Sequence, residues 1–358
     1  MSKRVAIIGG GIFGVVTAIN FAKQGFVTDL YEQNSDILLG ATANSQNRLH
    51  LGLHYPRDIE TAIQSKSGFV KFKERFPSAI NANFANYYSI SSQNSKISES
   101  DFLEFTTKAG IEIQAVEYSE LENCGIATDK ISTVYKCEEA VIDIDILRET
   151  LREEVLRYGV NLKVNQQVST LTAFSKDWKL RTVSGDENLY SLVFKATYGS
   201  DHIMEKSNST KRSTYEYHST LILEIQNPYA NFGFTVIDGD FITLLPKGFS
   251  GNQLLYAPSI STRKRFTGDS FPTEWIVDEN LDSVQSSLLD RLNSWFTGYE
   301  NVQVVSKMQA IRAIQPNMEK TDRRTSVIRK LGENYYEMWS GKIDHCIDIA
   351  DEMLNLAK

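Results

Sequence analysis

A strand, a glycine-rich turn, a helix and a second strand fill the first 31 residues, and this unit constrains the fold more than any other feature. The apolar residues 5–8 lead directly into GGGIFG at 9–14, a G-x-G-x-x-G pattern, and a helical stretch follows. In this pattern Gly9 permits a tight turn, Gly11 lets backbone N–H groups approach a pyrophosphate, and Gly14 lets the helix lie close to the strand. The helix N-terminus then faces the anion. The unit therefore predicts a Rossmann-type dinucleotide site.

The end of the second strand carries an acidic residue where an adenosine ribose is expected. Residues 26–31 form the strand, and Glu32 lies about 20 residues after the turn, where its carboxylate can accept hydrogen bonds from ribose hydroxyls. The next residues, QNSD at 33–36, include no Arg or Lys to receive a 2′-phosphate, so NADP is disfavoured. A strand-turn-helix unit whose glycines serve structure alone is the alternative interpretation.

Composition and charge narrow the class of protein. The chain has 358 residues, 41% of them hydrophobic, which is ample for two domains with buried cores. The formal net charge of -7 opposes binding to nucleic acid or anionic lipid. Three cysteines lie far apart without metal-ligand spacing, and with five histidines in all no metal site is predicted. No apolar stretch reaches the length of a membrane span, and the N-terminal apolar residues are used by a strand, so we expect a cytoplasmic protein without a signal peptide.

After the Rossmann unit, Rossmann-like strand-helix-strand segments alternate along the sequence with segments of short strands. Residues 40–56 form a long polar loop, which is typical of a functional segment, and an amphipathic helix follows at 61–76. Short strands and another helix come next. A Rossmann-like strand-helix-strand pattern returns at 140–196, and alternating strands follow at 215–258. The last predicted elements are a helix at 281–296, a strand at 335–338 and a helix at 345–356.

This interleaving resembles the FAD-dependent oxidoreductases of the D-amino acid oxidase and glycine oxidase type over essentially the whole chain. Four separated blocks carry the resemblance: residues 9–32, 40–52, 139–199 and 312–344. The stretch NRLHLGLHY at 47–55 is most similar to the branch that includes L-2-hydroxyglutarate dehydrogenase-like enzymes.

The resemblance implies an α/β fold in which a Rossmann-like FAD-binding domain is interleaved with a substrate domain built on a mixed antiparallel sheet. The FAD-binding domain would comprise residues 1–80, 138–210 and 306–358, and the substrate domain residues 81–137 and 211–305. FAD is the implied cofactor. The residues implied to bind it are Gly9, Gly11, Ile12, Phe13, Gly14, Glu32, Gln33, Thr42, Asn47, Arg48, Leu49, Val168, Thr197, Gly341, Lys342, Ile343 and Asp344.

Two positions depart from the family pattern. The usual Ala-Thr-Gly is Ala-Thr-Tyr-Gly at 196–199, which puts a cofactor contact by Gly199 in doubt. The final glycine-rich turn has become SGKIDH at 340–345, with one glycine and an added cation, Lys342. Lys342 and the N-terminus of the last helix are candidates for a positive field at the N1–O2 edge of the flavin, where negative charge collects on reduction. A solvated surface position is the alternative for Lys342.

Arg312 is the candidate for substrate binding. It lies in the segment AIRAI at 310–314, which predicts a buried strand in which an unpaired guanidinium is costly. The resemblance implies that this arginine clamps the substrate carboxylate in a bidentate pair, a geometry that lysine cannot reproduce. A structural ion pair is the alternative. The predicted partner is therefore a small molecule that carries a carboxylate.

His50, His54 and Tyr55 come from the loop that the resemblance places along the flavin. An imidazole with a pKa of about 6.5 can take a hydroxyl or ammonium proton as hydride leaves the neighbouring carbon. A side chain that merely caps or lines the pocket is the alternative for each. With Arg312 and Lys342, these three complete the set of predicted catalytic residues.

The candidate residues support two enzyme hypotheses and one from a different class. The first is oxidation of an amine or amino acid by hydride transfer to flavin N5. The second is a 2-hydroxy-acid dehydrogenase, which gains more from a histidine base. The third is a flavoprotein that uses FAD for structure or for a non-redox reaction. The electron acceptor stays open.

Overall fold

Four β-sheets form the frame of the computed structural model, which describes residues 3–200, 202–206, 213–229, 231–237, 241–270, 281–316 and 326–357. The strands in these residues are β1 (Arg4–Ile8), β2 (Val27–Tyr31), β3 (Arg48–Leu49), β4 (Ile80–Asn81), β5 (Ala85–Ser91), β6 (Gln114–Ala115), β7 (Ile131–Lys136), β8 (Ala140–Ile142), β9 (Asn161–Lys163), β10 (Val168–Phe174), β11 (Asp177–Thr182), β12 (Glu187–Tyr190), β13 (Leu192–Lys195), β14 (Met204–Lys206), β15 (Tyr215–Ile225), β16 (Phe232–Val236), β17 (Thr243–Pro246), β18 (Gln253–Tyr256), β19 (Thr262–Gly268), β20 (Val304–Ile314), β21 (Val327–Gly332) and β22 (Tyr335–Trp339).

The described ranges contain eight α-helices. They are α1 (Ile12–Lys23), α2 (Ile59–Arg75), α3 (Glu99–Ala109), α4 (Tyr118–Glu122), α5 (Ile144–Arg157), α6 (Pro258–Ser261), α7 (Leu281–Trp295) and α8 (Cys346–Leu356). The Asp58 side chain accepts the Thr61 N–H at the start of α2, and Asp143 accepts two N–H groups at the start of α5. Such caps satisfy N–H groups that have no partner within the helix.

A six-stranded sheet has the order β21-β22-β13-β1-β2-β9, and all its neighbouring pairs are parallel except β21 with β22. Helices α1, α5 and α8 pack on the core of this sheet. Val5, Ala6 and Ile7 are fully buried, because a parallel strand covered on both faces needs a continuous apolar run. The Rossmann-type unit predicted from the first 32 residues is therefore present.

A nine-stranded sheet with mostly antiparallel neighbours forms the second layer. Its path is β19-β15-β18-β17-β16-β5-β7-β6, and β20 pairs with the long strand β15. Helix α7 packs on it through Leu288, Leu292 and Trp295, in a separate apolar core. A four-stranded sheet, β12-β11-β10-β14, and a three-stranded sheet, β3-β8-β4, complete the set. The predicted α/β class with a parallel and a mixed antiparallel sheet is confirmed.

The predicted domain boundary at residue 306 falls inside β20, which pairs antiparallel with β15 from Ile314 to Val304. The strand thus belongs to the nine-stranded sheet, and the chain returns to the six-stranded sheet at β21. An alternating strand pattern shows that a strand exists but does not show which sheet receives it.

Two features are absent from the described ranges. No helix within them is long and apolar enough to cross a membrane. Within the same ranges no group of three His, Cys, Asp or Glu side chains is arranged to hold a metal ion.

Candidate active site

A cavity of about 1000 Å³ lies between the carboxyl ends of the parallel strands and one face of the nine-stranded sheet. At one end it is lined by Ile8 of β1 and Tyr31 of β2, and at the other by His218 of β15 and Arg312 of β20. In open α/β sheets ligands bind in the crevice beyond the carboxyl ends of the strands. The fold therefore brings the carboxyl ends of the parallel strands and the nine-stranded sheet to one cavity.

The three glycines of the turn meet three different steric demands. Gly9 has φ +112°, and a Cβ there would lie 2.5 Å from the Ala196 carbonyl oxygen. A Cβ on Gly14 would lie 1.9 Å from the Gly9 carbonyl oxygen, so only glycine lets α1 approach β1 this closely. A Cβ on Gly11 would meet only the Thr42 hydroxyl, at 3.6 Å, so this position opens to the cavity. Gly11 is thus the position where a ligand can approach the backbone.

Glu32 fixes the turn as well as facing the cavity. Its Oε2 accepts the Gly10 N–H at 2.6 Å, and its Oε1 accepts the Asn34 backbone N–H at 2.8 Å. The carboxylate lines the cavity beside the turn, where it retains lone pairs for further donors. Its predicted role as a ribose acceptor is compatible with this position.

Most residues predicted to bind the cofactor line the cavity. They are Gly9, Gly11, Ile12, Phe13, Glu32, Gln33, Thr42, Asn47, Arg48, Val168, Thr197, Gly341, Lys342, Ile343 and Asp344. Leu49 does not line it, because it is fully buried and pairs with Ala140 of β8. Gly14 faces the Gly9 backbone instead, which gives it a packing role. Gly199, which the sequence placed in doubt, has φ +81° and lies against the Tyr215 ring, outside the cavity lining.

Arg48 is the centre of a buried polar network. Its Nη1 donates to the Tyr88 hydroxyl at 2.7 Å and contacts His54 Nε2, and its Nη2 donates to Thr235 Oγ1 at 2.5 Å. Glu139 Oε2 lies 3.4 Å from Arg48 Nη1, and Tyr88 donates to Glu139 Oε1 at 2.9 Å. Burial raises the pKa of Glu139 to about 7, although the Arg48 charge acts in the opposite direction. The guanidinium is therefore fixed by hydrogen bonds and an ion pair within the protein, and Arg48 also lines the cavity.

Lys342 is buried, which removes the alternative of a solvated surface position. It is 3% exposed, and its Nζ lies 3.2 Å from His50 Nε2 and 2.7 Å from Ser65 Oγ. The same Nζ lies 3.7 Å from the centroid of the Tyr55 ring, a cation–π contact. Burial, followed by the charge of Lys342, lowers the pKa of His50 well below its usual value.

His54 sits among aromatic rings with a cation at its nitrogen. Its ring centroid lies 5.3 Å from that of Tyr88 and 5.4 Å from that of His50. Burial, followed by the Arg48 charge, lowers the pKa of His54 well below its usual value. Both loop histidines are thus neutral at pH 7, and both face cations.

Arg312 reaches into the cavity from β20. Its side chain faces that space, while Ala310 and Ala313 on the same strand are buried as the segment predicted. Its Nη1 donates to the Tyr256 hydroxyl at 2.8 Å, and no carboxylate of the described residues forms an ion pair with it within 4.0 Å. The predicted alternative of a structural ion pair therefore has no support in the described ranges.

Sequence reasoning missed a second polar pair on the same sheet. Glu216 and His218 both line the cavity from β15, and His218 Nε2 lies 2.6 Å from Glu216 Oε1. A Glu and a His two residues apart in an alternating strand share a face, and this spacing was the available signal. It could not show that the face borders the cavity.

The cavity fits FAD on two observations besides its size. Gly11 is the N-cap residue of α1, and because it has no side chain the space for an anion at this helix N-terminus stays open. Asp344 lines the cavity, and its buried Oδ2 has no hydrogen-bond partner among the described residues. A buried acceptor of this kind requires a donor, which a bound ligand can supply.

The fold and this cavity define a class of enzymes, in which a Rossmann-type dinucleotide unit and a second sheet line one cavity. The chain matches the family described as FAD dependent oxidoreductase (DAO) over residues 4–336, and it belongs to that family. It is an FAD-dependent oxidoreductase, and FAD is its cofactor.

Individual relatives agree with this assignment. The protein named FAD-dependent monooxygenase kojA, from Aspergillus flavus, is 27% identical over 298 residues, which cover 80% of this chain and 68% of that protein. L-proline dehydrogenase from P. horikoshii has a TM-score of 0.76 at 14% identity, covering 100% of this chain and 93% of its own. Glycine oxidase from Geobacillus kaustophilus has a TM-score of 0.74 at 14% identity, covering 99% and 94%. The two structural likenesses show a shared fold.

Two glycines of one turn should respond differently to substitution. Gly11→Val places a branched side chain in open space at the cofactor approach, so the chain should fold but lose FAD. Gly14→Ala drives a methyl group into the Gly9 carbonyl and should cost about 3 kcal/mol of folding stability. The measurements are the flavin-to-protein absorbance ratio and thermal unfolding, with FAD-stripped wild type as the reference for Gly11→Val. Full FAD retention by Gly11→Val would move the cofactor site elsewhere.

Lys342→Met should raise the pKa of His50. The positive charge at Nζ disfavours the imidazolium, so its removal lets His50 bind a proton at higher pH, although burial still holds the pKa below its usual value. An NMR titration of the imidazole signals, with His50 assigned through His50→Gln, measures the change. Lys71→Met, at an exposed lysine of α2, is the control and should leave that titration unchanged. An unmoved His50 titration in Lys342→Met would mean that the two side chains are not coupled.

Proposed function

We propose that the protein oxidises a small amine or amino acid that carries a carboxylate. FAD, when bound, supplies the two-electron acceptor that takes hydride from the substrate carbon. The observation that carries the proposal is the Arg312 guanidinium, which faces the cavity with a tyrosine hydroxyl rather than a carboxylate as its protein partner. A cation held in this way calls for an anion from the ligand.

The surroundings of Arg312 orient it for a carboxylate. The Tyr256 hydroxyl accepts a hydrogen bond from Arg312 Nη1 at 2.8 Å. The backbone position of Arg312 in the sheet is fixed by its pairing with His218 of β15. The remaining N–H donors of the planar guanidinium can bind both oxygens of a carboxylate in a bidentate pair. Arg312 therefore supports recognition of the acid group common to amino acids and hydroxy acids.

Aromatic side chains surround the space in front of Arg312. Tyr55, Tyr198, Phe241, Tyr256 and Trp339 line the cavity. Rings of this kind pack against the apolar part of a small substrate and exclude water, which strengthens charge interactions inside the site. A substrate with one carboxylate and an apolar or amine-bearing remainder suits this lining.

A specific observation favours oxidation of a 2-hydroxy acid as the second candidate. His50 and His54 line the cavity and are neutral at pH 7, because burial and nearby cations lower the pKa of each. A neutral imidazole can accept the hydroxyl proton of an alcohol substrate, whereas a neutral amine needs no base for hydride loss.

Anaerobic reduction of the bound flavin tests the proposal. The compounds are glycine, sarcosine, L-proline, other L- and D-amino acids and a set of 2-hydroxy acids, each paired with an analogue that lacks the carboxylate. Bleaching by amino acids with release of ammonia or an imine supports the first candidate, and bleaching by hydroxy acids alone supports the second. Equal bleaching by analogues without a carboxylate would remove the role of Arg312, and no bleaching by any of these compounds would contradict both candidates.

Arg312→Lys should weaken turnover of the carboxylate substrate. A bidentate pair becomes a single point contact, and loss of one charged hydrogen bond costs about 2–3 kcal/mol, or roughly 30-fold to 150-fold in kcat/KM. Steady-state kinetics on the compound that bleaches fastest provide the measurement. Arg181→Lys, an exposed strand arginine away from the cavity, is the matched control. Unchanged kcat/KM in a flavin-loaded Arg312→Lys protein would contradict the clamp.

A further inference from the structure

The Glu216–His218 pair has the geometry of an oriented imidazole. His218 Nε2 lies 2.6 Å from Glu216 Oε1, so the neutral ring donates Nε2–H to the carboxylate and keeps its lone pair on Nδ1. No other hydrogen bond to His218 is formed by the described residues, and the side chain borders the cavity. Nδ1 is thus the acceptor atom that this pair offers to a ligand.

The register of the sheet places His218 beside the proposed carboxylate clamp. His218 is directly opposite Arg312 in the β15–β20 pair and opposite Arg265 in the β15–β19 pair. Side chains directly opposite one another in an antiparallel pair lie on the same face, with Cβ atoms about 4.5–5.5 Å apart. A carboxylate held by Arg312 therefore brings the atoms on its α-carbon next to the imidazole.

His218 differs from the two loop histidines in the charge of the side chain that contacts its ring. His50 Nε2 faces Lys342 Nζ, and His54 Nε2 faces the Arg48 guanidinium, so proton uptake by either ring is opposed by a cation. His218 faces a carboxylate, which stabilises the imidazolium that forms when the ring accepts a proton. Among these three rings, His218 is the one whose protonated form has a counter-charge in contact.

We propose that His218, oriented by Glu216, is the proton acceptor of the oxidation reaction. His218 is the catalytic residue and Glu216 the positioning residue. This assignment rests on the proposed function, because the position of the substrate depends on Arg312. The sequence analysis predicted this proton-accepting role for His50 or His54, and the proposal gives it to His218 instead.

The proton and electron balance is the same in outline for both substrate classes. For a hydroxy acid, the O–H proton goes to His218 Nδ1, the α C–H hydrogen leaves with its electron pair to FAD, and a C=O bond forms. For an amino acid, Nδ1 first takes one proton from the ammonium group. The freed nitrogen lone pair then forms the C=N bond as the C–H hydrogen leaves with its electron pair to FAD.

The charges around His218 set the sign of the pH dependence. Glu216 faces it on the same strand, Arg265 from β19 and Arg312 from β20. Burial lowers the pKa of His218 below its usual value, and Glu216 acts in the opposite direction. The ring is thus the neutral acceptor at pH 7, and turnover should fall as pH drops through its pKa.

Kinetics on the FAD-loaded protein, with the substrate that bleaches the flavin fastest, give the first test. His218→Gln should lower kcat by at least about 100-fold, the range of a lost general base, with little change in KM and with the acid limb of the pH profile removed. Glu216→Gln should lower kcat less and move the acid limb to lower pH, because the carboxylate that raises the pKa is gone. Glu187→Gln, at a surface strand carboxylate paired with Lys179, is the control and should match wild type. Retention of kcat and of the acid limb in His218→Gln would overturn the assignment in favour of a loop histidine.

A second test uses no turnover. In the FAD-loaded wild type, ¹⁵N NMR of the imidazoles should show His218 as the neutral Nε2–H tautomer, and acetate should shift its signal in wild type but not in Arg312→Lys. An Nδ1–H tautomer, or a His218 signal that ignores acetate, would overturn the proposal. If no compound reduces the flavin, the proposed function fails, whereas the acetate titration still decides whether His218 faces a carboxylate bound at Arg312.

Discussion

The contact between Gly14 and the Gly9 carbonyl is the constraint on which the rest of the structure depends. A Cβ atom at position 14 would lie 1.9 Å from that oxygen. Only glycine at this position therefore lets α1 begin so close to the carboxyl end of β1. This close approach points the N-terminus of α1 into the cavity and leaves Gly11 open beside it. The Glu32 carboxylate then locks the turn through the Gly10 N–H. The cofactor end of the cavity is thus built from backbone geometry.

The reacting end is built from side chains that the nine-stranded sheet brings into register. Arg312, His218 and Arg265 form a row across three neighbouring strands, and Glu216 supplies the negative charge within it. The loop at the opposite wall contributes His50 and His54, each next to a cation. One wall therefore carries two arginines and a carboxylate-backed imidazole, and the other carries imidazoles next to cations. The two walls thus differ in the charges that surround their histidines.

Buried charge connects the loop that carries Arg48 to the nine-stranded sheet. Arg48 joins β3 to Tyr88 of β5, Thr235 of β16 and the buried Glu139. Removing one member of such a network leaves the others unpaired in a low dielectric, which is more costly than losing a surface pair. The sequence marked Arg48 as a cofactor residue from its loop. Tyr88 and Thr235 lie 40 and 187 positions away from it along the chain, and local pattern carries no information about such partners.

The sequence by itself determined the parts of this protein that depend on local geometry. The glycine spacing, the Glu32 position and the helical and alternating periodicities predicted the Rossmann unit and its dinucleotide site, because each reflects steric or hydrophobic demands within a short stretch. The resemblance to FAD-dependent oxidoreductases of the D-amino acid oxidase type implied the interleaved α/β fold and FAD. Tertiary structure alone decided which sheet receives β20, that Lys342 is buried against His50 and Tyr55, and that Leu49 lies in the core. It also placed Glu216 and His218 beside Arg312, since the pairing of β15 with β20 joins residues 94 positions apart. Strand register across such a separation is fixed by the whole packed core and not by the residues that it brings together.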